Sequence, residues 1–130
     1  MPSVEITALF ASLLAIMQIV FTLRVVAYRR GNKISLGDGA DSEMVKRIRA
    51  HANFTETVPI ALILLLLIEL SGANSSLVFL LGGLLLLART AHYIGVGFSQ
   101  FKFRFFGMLA TLIMIITSAA VLLGMSLLSG

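Results

Sequence analysis

The sequence contains no cysteine. That excludes a disulfide scaffold, a thiolate metal site and a cysteine nucleophile, so any thiol chemistry must use a sulfur brought by a ligand. Charge is scarce as well. Only 12% of the 130 residues are charged, against about 25% in an ordinary soluble domain. With 58% of its residues hydrophobic, a chain this short cannot hide its apolar surface in one soluble core. Lipid is the solvent this composition requires. Low-complexity segments and short internal repeats are absent too.

What is present is four apolar stretches in one domain, residues 1–130. They predict an all-α membrane protein, a bundle of four transmembrane helices at about 4–27, 42–70, 77–97 and 104–128. Each is long enough to cross the ~30 Å hydrocarbon layer, which takes about 20 helical residues. Strands of a membrane barrel alternate apolar and polar residues, and the run 63–68 does not. The first stretch lacks a basic start and its apolar part is too long for a signal peptide, so it is read as a retained span. Asp41 or Ser42 is the expected N-cap of the second helix, with Glu43 favourable in its first turn. Pro59 lies inside that helix and marks a place for a kink.

The connection at 71–76 carries no charge, and all ten Lys and Arg residues fall in or near the first and third connections. By the positive-inside rule that end is cytoplasmic, and both termini face the opposite side. The same asymmetry explains the net charge of +4 without nucleic-acid binding.

The polar half of the second helix carries the chemistry. Arg49, Asn53 and Glu56 are spaced i, i+4, i+7 and share one face, which Lys46 extends toward the basic end. His51 and Arg47 point elsewhere. A carboxylate several turns into a membrane helix costs about 2.5–3.5 kcal/mol at the bilayer centre. Glu56 should therefore face a protein interior and be paired, with Arg49 and Arg89 as candidate partners. A structural zipper between helices would use Asn and Glu in the same way. The concentration of positive charge favours a ligand site instead. In the third helix Arg89 and His92 stand at i, i+3 with Tyr93 beside them, where Tyr93 could equally belong to an interfacial belt.

A cavity lined by these residues would suit a small anion that also bears an ammonium group. Arginine forks bind carboxylates, Glu56 would take the ammonium and Asn53 an amide or carboxylate. Glutathione fits this inventory, although the inventory does not single it out. A free thiol ionises near pH ~8.5, and lowering that by about two pH units requires ~2.7 kcal/mol. One charge-assisted hydrogen bond from arginine supplies about 1.5–3 kcal/mol, so neither a metal nor a general base is needed.

These residues resemble the membrane-associated proteins in eicosanoid and glutathione metabolism, the MAPEG family, and most closely its short bacterial branch. The resemblance covers nearly the whole chain. Its strongest element is Arg49, Ala50, Asn53 and Glu56, similar to the family pattern R-x-x-R-A-x-x-N-x-x-E, with Lys46 in place of the first Arg. The segment from Arg89 to Tyr93 looks like the third-helix signature. Val96 occupies a position that is frequently Tyr in the eicosanoid enzymes, so that contact is missing.

The resemblance implies a homotrimer with glutathione bound between subunits. It implies Arg104 as the catalytic, thiolate-stabilising residue, and Arg29 or Arg30, Arg49, Asn53, Glu56, Arg89, His92 and Tyr93 as glutathione-binding residues. The activity implied is a glutathione transferase, with or without peroxidase activity, acting on lipophilic electrophiles from the membrane. The bacterial inner membrane is the implied location, with the site toward the cytoplasm. Two other readings compete with the transferase reading. One is a member of the fold without turnover, since fold does not fix activity. The other is a small multidrug exporter using Glu56, which Arg49 and Arg89 oppose because they would repel a cationic drug.

Overall fold

The computed structural model describes residues 3–130. Four helices follow one another: α1 (Glu5–Asn32), α2 (Ser42–Leu70), α3 (Ser75–Gly97) and α4 (Phe101–Leu128). All four are long and apolar enough to span a membrane. The protein is an all-α bundle of transmembrane helices.

The helices outrun their apolar stretches. α1 continues to Asn32 and carries Arg29 and Arg30 in its last turn, where cations complement the helix dipole. It ends at Lys33, in the left-handed region at φ 56°, and the Ile34 amide reaches back to the Arg29 carbonyl at 3.0 Å. α2 starts where expected. The Asp41 side chain accepts from the Met44 amide at 3.0 Å, and Glu43 accepts from Arg47 Nε at 3.0 Å. The helix continues through Pro59. α4 begins at Phe101, three residues earlier than the hydropathy suggested. The connection before it is only three residues long, and the Gln100 amide folds back onto the Gly95 carbonyl at 2.8 Å.

At the end without basic residues, α1 has no side-chain cap from its own N-cap position. Glu69, on the last turn of α2, takes that role. Its two carboxylate oxygens accept from the Ile6 amide at 2.9 Å and the Thr7 amide at 2.7 Å. Two of the four orphan amides of α1 are satisfied by this clasp.

α2 and α3 each touch the other three helices, whereas α1 and α4 do not touch among the described residues. The core between them is built from Phe10, Leu14 and Phe21 of α1, Phe54, Val58 and Leu65 of α2, Leu85 of α3 and Met114 of α4. Glycines set the closest approaches. A side chain at Gly95 would collide with the Arg104 backbone, and one at Gly107 with the backbone of His92 and Ala88. Small residues let membrane helices pack this tightly. The outward faces remain apolar: Ile16, Leu80, Leu87 and Ile116 are all well exposed.

Candidate functional site

The tight α3–α4 seam fixes one end of a cleft. Gly95 and Gly107 bring the first two turns of α4 against the last turns of α3. Arg104 thereby comes beside His92 and Val96. α2 supplies the facing wall with Arg49 and Asn53, one helical turn apart. Phe101, Phe105 and Met108 complete the lining of a cleft of about 330 Å³. Four of the polar residues expected from the sequence, Arg49, Asn53, His92 and Arg104, thus share one cavity from three helices.

The polar groups here are not saturated. Asn53 Nδ2 reaches only the Met108 sulfur, at 3.6 Å, and its Oδ1 is buried with no hydrogen-bond partner. Arg49 and Arg104 are exposed side chains. Two cations, a free amide oxygen and an imidazole around a cavity of this size can accept an anionic ligand with amide groups.

Arg89 stands behind this cleft rather than in its lining. It is 1% exposed, and its Nη2 lies 3.2 Å from His92 Nδ1. A guanidinium can only donate, so Nδ1 accepts and the imidazole proton sits on Nε2. Arg89 therefore sets the tautomer of His92. Its Nε and Nη1 have no partner, and its guanidinium carbon lies 5.8 Å from the centre of the Phe54 ring.

Several expected site residues lie elsewhere in the single chain. Glu56 is exposed on the outer face of α2 and pairs with neither Arg49 nor Arg89. The ion pair found among the described residues is Arg47–Glu43. Seven residues along a helix separate Arg49 from Glu56 by about 10.5 Å of rise, while Arg89 points into the bundle. Tyr93, about 100° round α3 from His92, faces α1. Its ring stacks on Phe21 with centroids 4.5 Å apart and lies under the Arg24 guanidinium at 5.3 Å. Lys46 does not continue the stripe into the cleft. With Arg24, Arg47 and Tyr93 it lines a separate, much smaller crevice of about 10 Å³. Arg29 donates to the Gly37 carbonyl at 2.8 Å. It shares with Arg30 a separate open hollow at the end of α1, because α1 does not reach α4.

Sequence reasoning missed the aromatic side of the cleft. The signal was available: Phe101, Arg104, Phe105 and Met108 follow i, i+3, i+4, i+7. It also missed the Glu69 clasp, which no motif announces.

The sequence model of the MAPEG family matches residues 7–124. Among curated proteins, the inner membrane protein YecN of Escherichia coli K12 is 39% identical over 106 residues. That alignment covers 82% of this chain and 81% of the relative. YecN of Escherichia coli O6:H1 matches to the same extent.

Proposed function

The chain belongs to the MAPEG family, and from that premise we propose that it is a membrane-bound glutathione transferase. Glutathione occupies the cleft with its carboxylates toward Arg49 and its amide toward Asn53. Arg104 donates to the ionised sulfur. The thiolate then attacks a lipophilic electrophile delivered from the bilayer, by conjugation or by reducing a peroxide. The observation that carries this reading is the meeting of Arg49, Asn53, His92 and Arg104 in one cleft at the basic end of the bundle.

The single chain leaves Arg49 and Glu56 exposed on a helix that crosses the membrane, and charges at that depth are covered by protein or a polar cavity. A homotrimer supplies that cover. It also lets Arg29 or Arg30 of a neighbouring subunit approach the cleft, and lets Glu56 take the glutathione ammonium. The inner-membrane naming of the relatives supports the same location here. The positive-inside rule orients the cleft toward the cytoplasm.

Purified protein in detergent or lipid should generate a thiolate absorbance when mixed with glutathione in a stopped-flow instrument. Arg104→Ala should abolish that signal while leaving helical content and thermal stability unchanged. Thiolate formation that survives this substitution would remove Arg104 from its proposed role. No thiolate in the unmodified protein would remove the transferase reading altogether.

A further inference from the structure

The two walls of the cleft differ in chemistry. α2 and α3 present Arg49, Asn53 and His92, whereas α4 presents Phe101, Phe105 and Met108 on either side of Arg104. The Phe101 and Phe105 rings lie nearly parallel, 24° apart with centroids separated by 6.0 Å. They are 69% and 50% exposed. Exposure alone does not set them apart, since Phe103 and Phe106 on the same helix are as exposed; their place on the cleft wall does. Rings that serve an interfacial belt are mostly Trp and Tyr, whose polar tip holds them at the headgroups. Phenylalanine has no such tip. Two exposed parallel rings beside a cationic group, on the wall of a cavity, form a surface on which another ring can stack offset. A linear chain would gain only buried area there.

We infer that Phe101 and Phe105 are specificity-determining residues, a stacking wall that selects flat aromatic electrophiles over linear ones of similar hydrophobicity. The inference rests on the transferase reading and names its substrate class. With an aryl halide, the glutathione proton has already passed to water when the sulfur ionises beside Arg104. The sulfur forms a bond to the ring carbon bearing the halogen, and negative charge passes into the ring. The carbon–halogen bond then breaks and halide leaves with the electron pair. Stacking holds the reacting carbon beside the sulfur while this happens.

The test compares 1-chloro-2,4-dinitrobenzene with trans-2-nonenal on the purified protein. The Phe101→Leu/Phe105→Leu double variant keeps apolar bulk and removes both rings. Its kcat/KM for the aryl halide should fall about tenfold (~1.4 kcal/mol). The loss on the alkenal should be at least fivefold smaller, with both rates normalised to each variant's own thiolate signal. The Phe101→Tyr/Phe105→Tyr variant should retain the aryl activity. Unchanged aryl turnover in the leucine variant, or an equal loss on both substrates, overturns the stacking wall. A protein that forms no glutathione thiolate at all overturns the parent reading instead, and the two failures are told apart by that absorbance.

Discussion

Arg89 carries its charge into the middle of the bundle with no carboxylate beside it and two donor nitrogens unpartnered. Leaving a cation so placed is costly, and apolar replacements of buried ions are often neutral or stabilising. Arg89→Met should therefore leave the melting temperature in detergent unchanged or raise it. The same substitution takes the donor from His92 Nδ1 and frees the imidazole to change tautomer. Glutathione affinity, read by equilibrium binding, should weaken about tenfold, or ~1.4 kcal/mol. A lower melting temperature with unchanged affinity would make Arg89 a packing residue only. At this scale much of the site could be read from the sequence, because cations and amides inside apolar runs are rare enough to mark themselves. Arg49, Asn53, His92 and Arg104, which stand out in that way, line one cleft. Glu56, Tyr93, Arg29 and Arg30 lie outside that cleft in the single chain, because a helical wheel shows which residues share a face without showing what that face meets.

The helices depend on a few devices at their ends and seams, and these give sharper expectations than their apolar surfaces do. Gly107→Ala places a methyl group against the backbone of Ala88 and His92. Overpacking of this kind costs about 1–3 kcal/mol, and here it separates Arg104 from His92. Activity should fall by more than the loss of melting temperature accounts for. Asp41 offers a pH test outside the membrane spans. The Met44 amide, with lesser help from the Tyr28 hydroxyl and the Glu43 amide, holds its carboxylate below the ordinary value of 3.8, against a smaller opposing effect of burial. A depressed pKa means the stabilisation is complete above the ordinary value and is lost as pH falls through the lower folded one. Thermal melts below pH ~4 should show a loss that Asp41→Asn lacks. Element positions were legible because apolar runs of this length admit one solution in lipid. The helix ends were less so, since hydropathy reports where apolar residues stop while the backbone continues to the next cap. Arg29 and Arg30, and likewise Lys102 and Arg104, are tolerated inside a helix at a membrane surface, so α1 runs on and α4 starts early.

At the scale of the whole molecule the question is what covers α2. Arg49, at the cleft, and Glu56, two turns further along the same side of α2, are both exposed in the single chain, while the neighbouring helices turn leucine and isoleucine outward. If lipid met that face, Glu56→Leu would remove an expensive group and raise stability by about 2.5–3.5 kcal/mol on insertion scales. If a second subunit meets it, the same change leaves a neighbouring cation without its partner, and the assembly weakens by a few kcal/mol. The two arrangements therefore predict opposite signs. For the trimer proposed here, native mass spectrometry from lipid nanodiscs should give three copies of the 14.0 kDa chain. Glu56→Leu should shift that population toward monomer and lower the melting temperature. Glutathione should raise the melting temperature of the unmodified trimer, because a ligand held between subunits stabilises the assembly that binds it. A more stable, still monomeric Glu56→Leu protein would turn α2 toward lipid and leave the cleft of one chain to act alone.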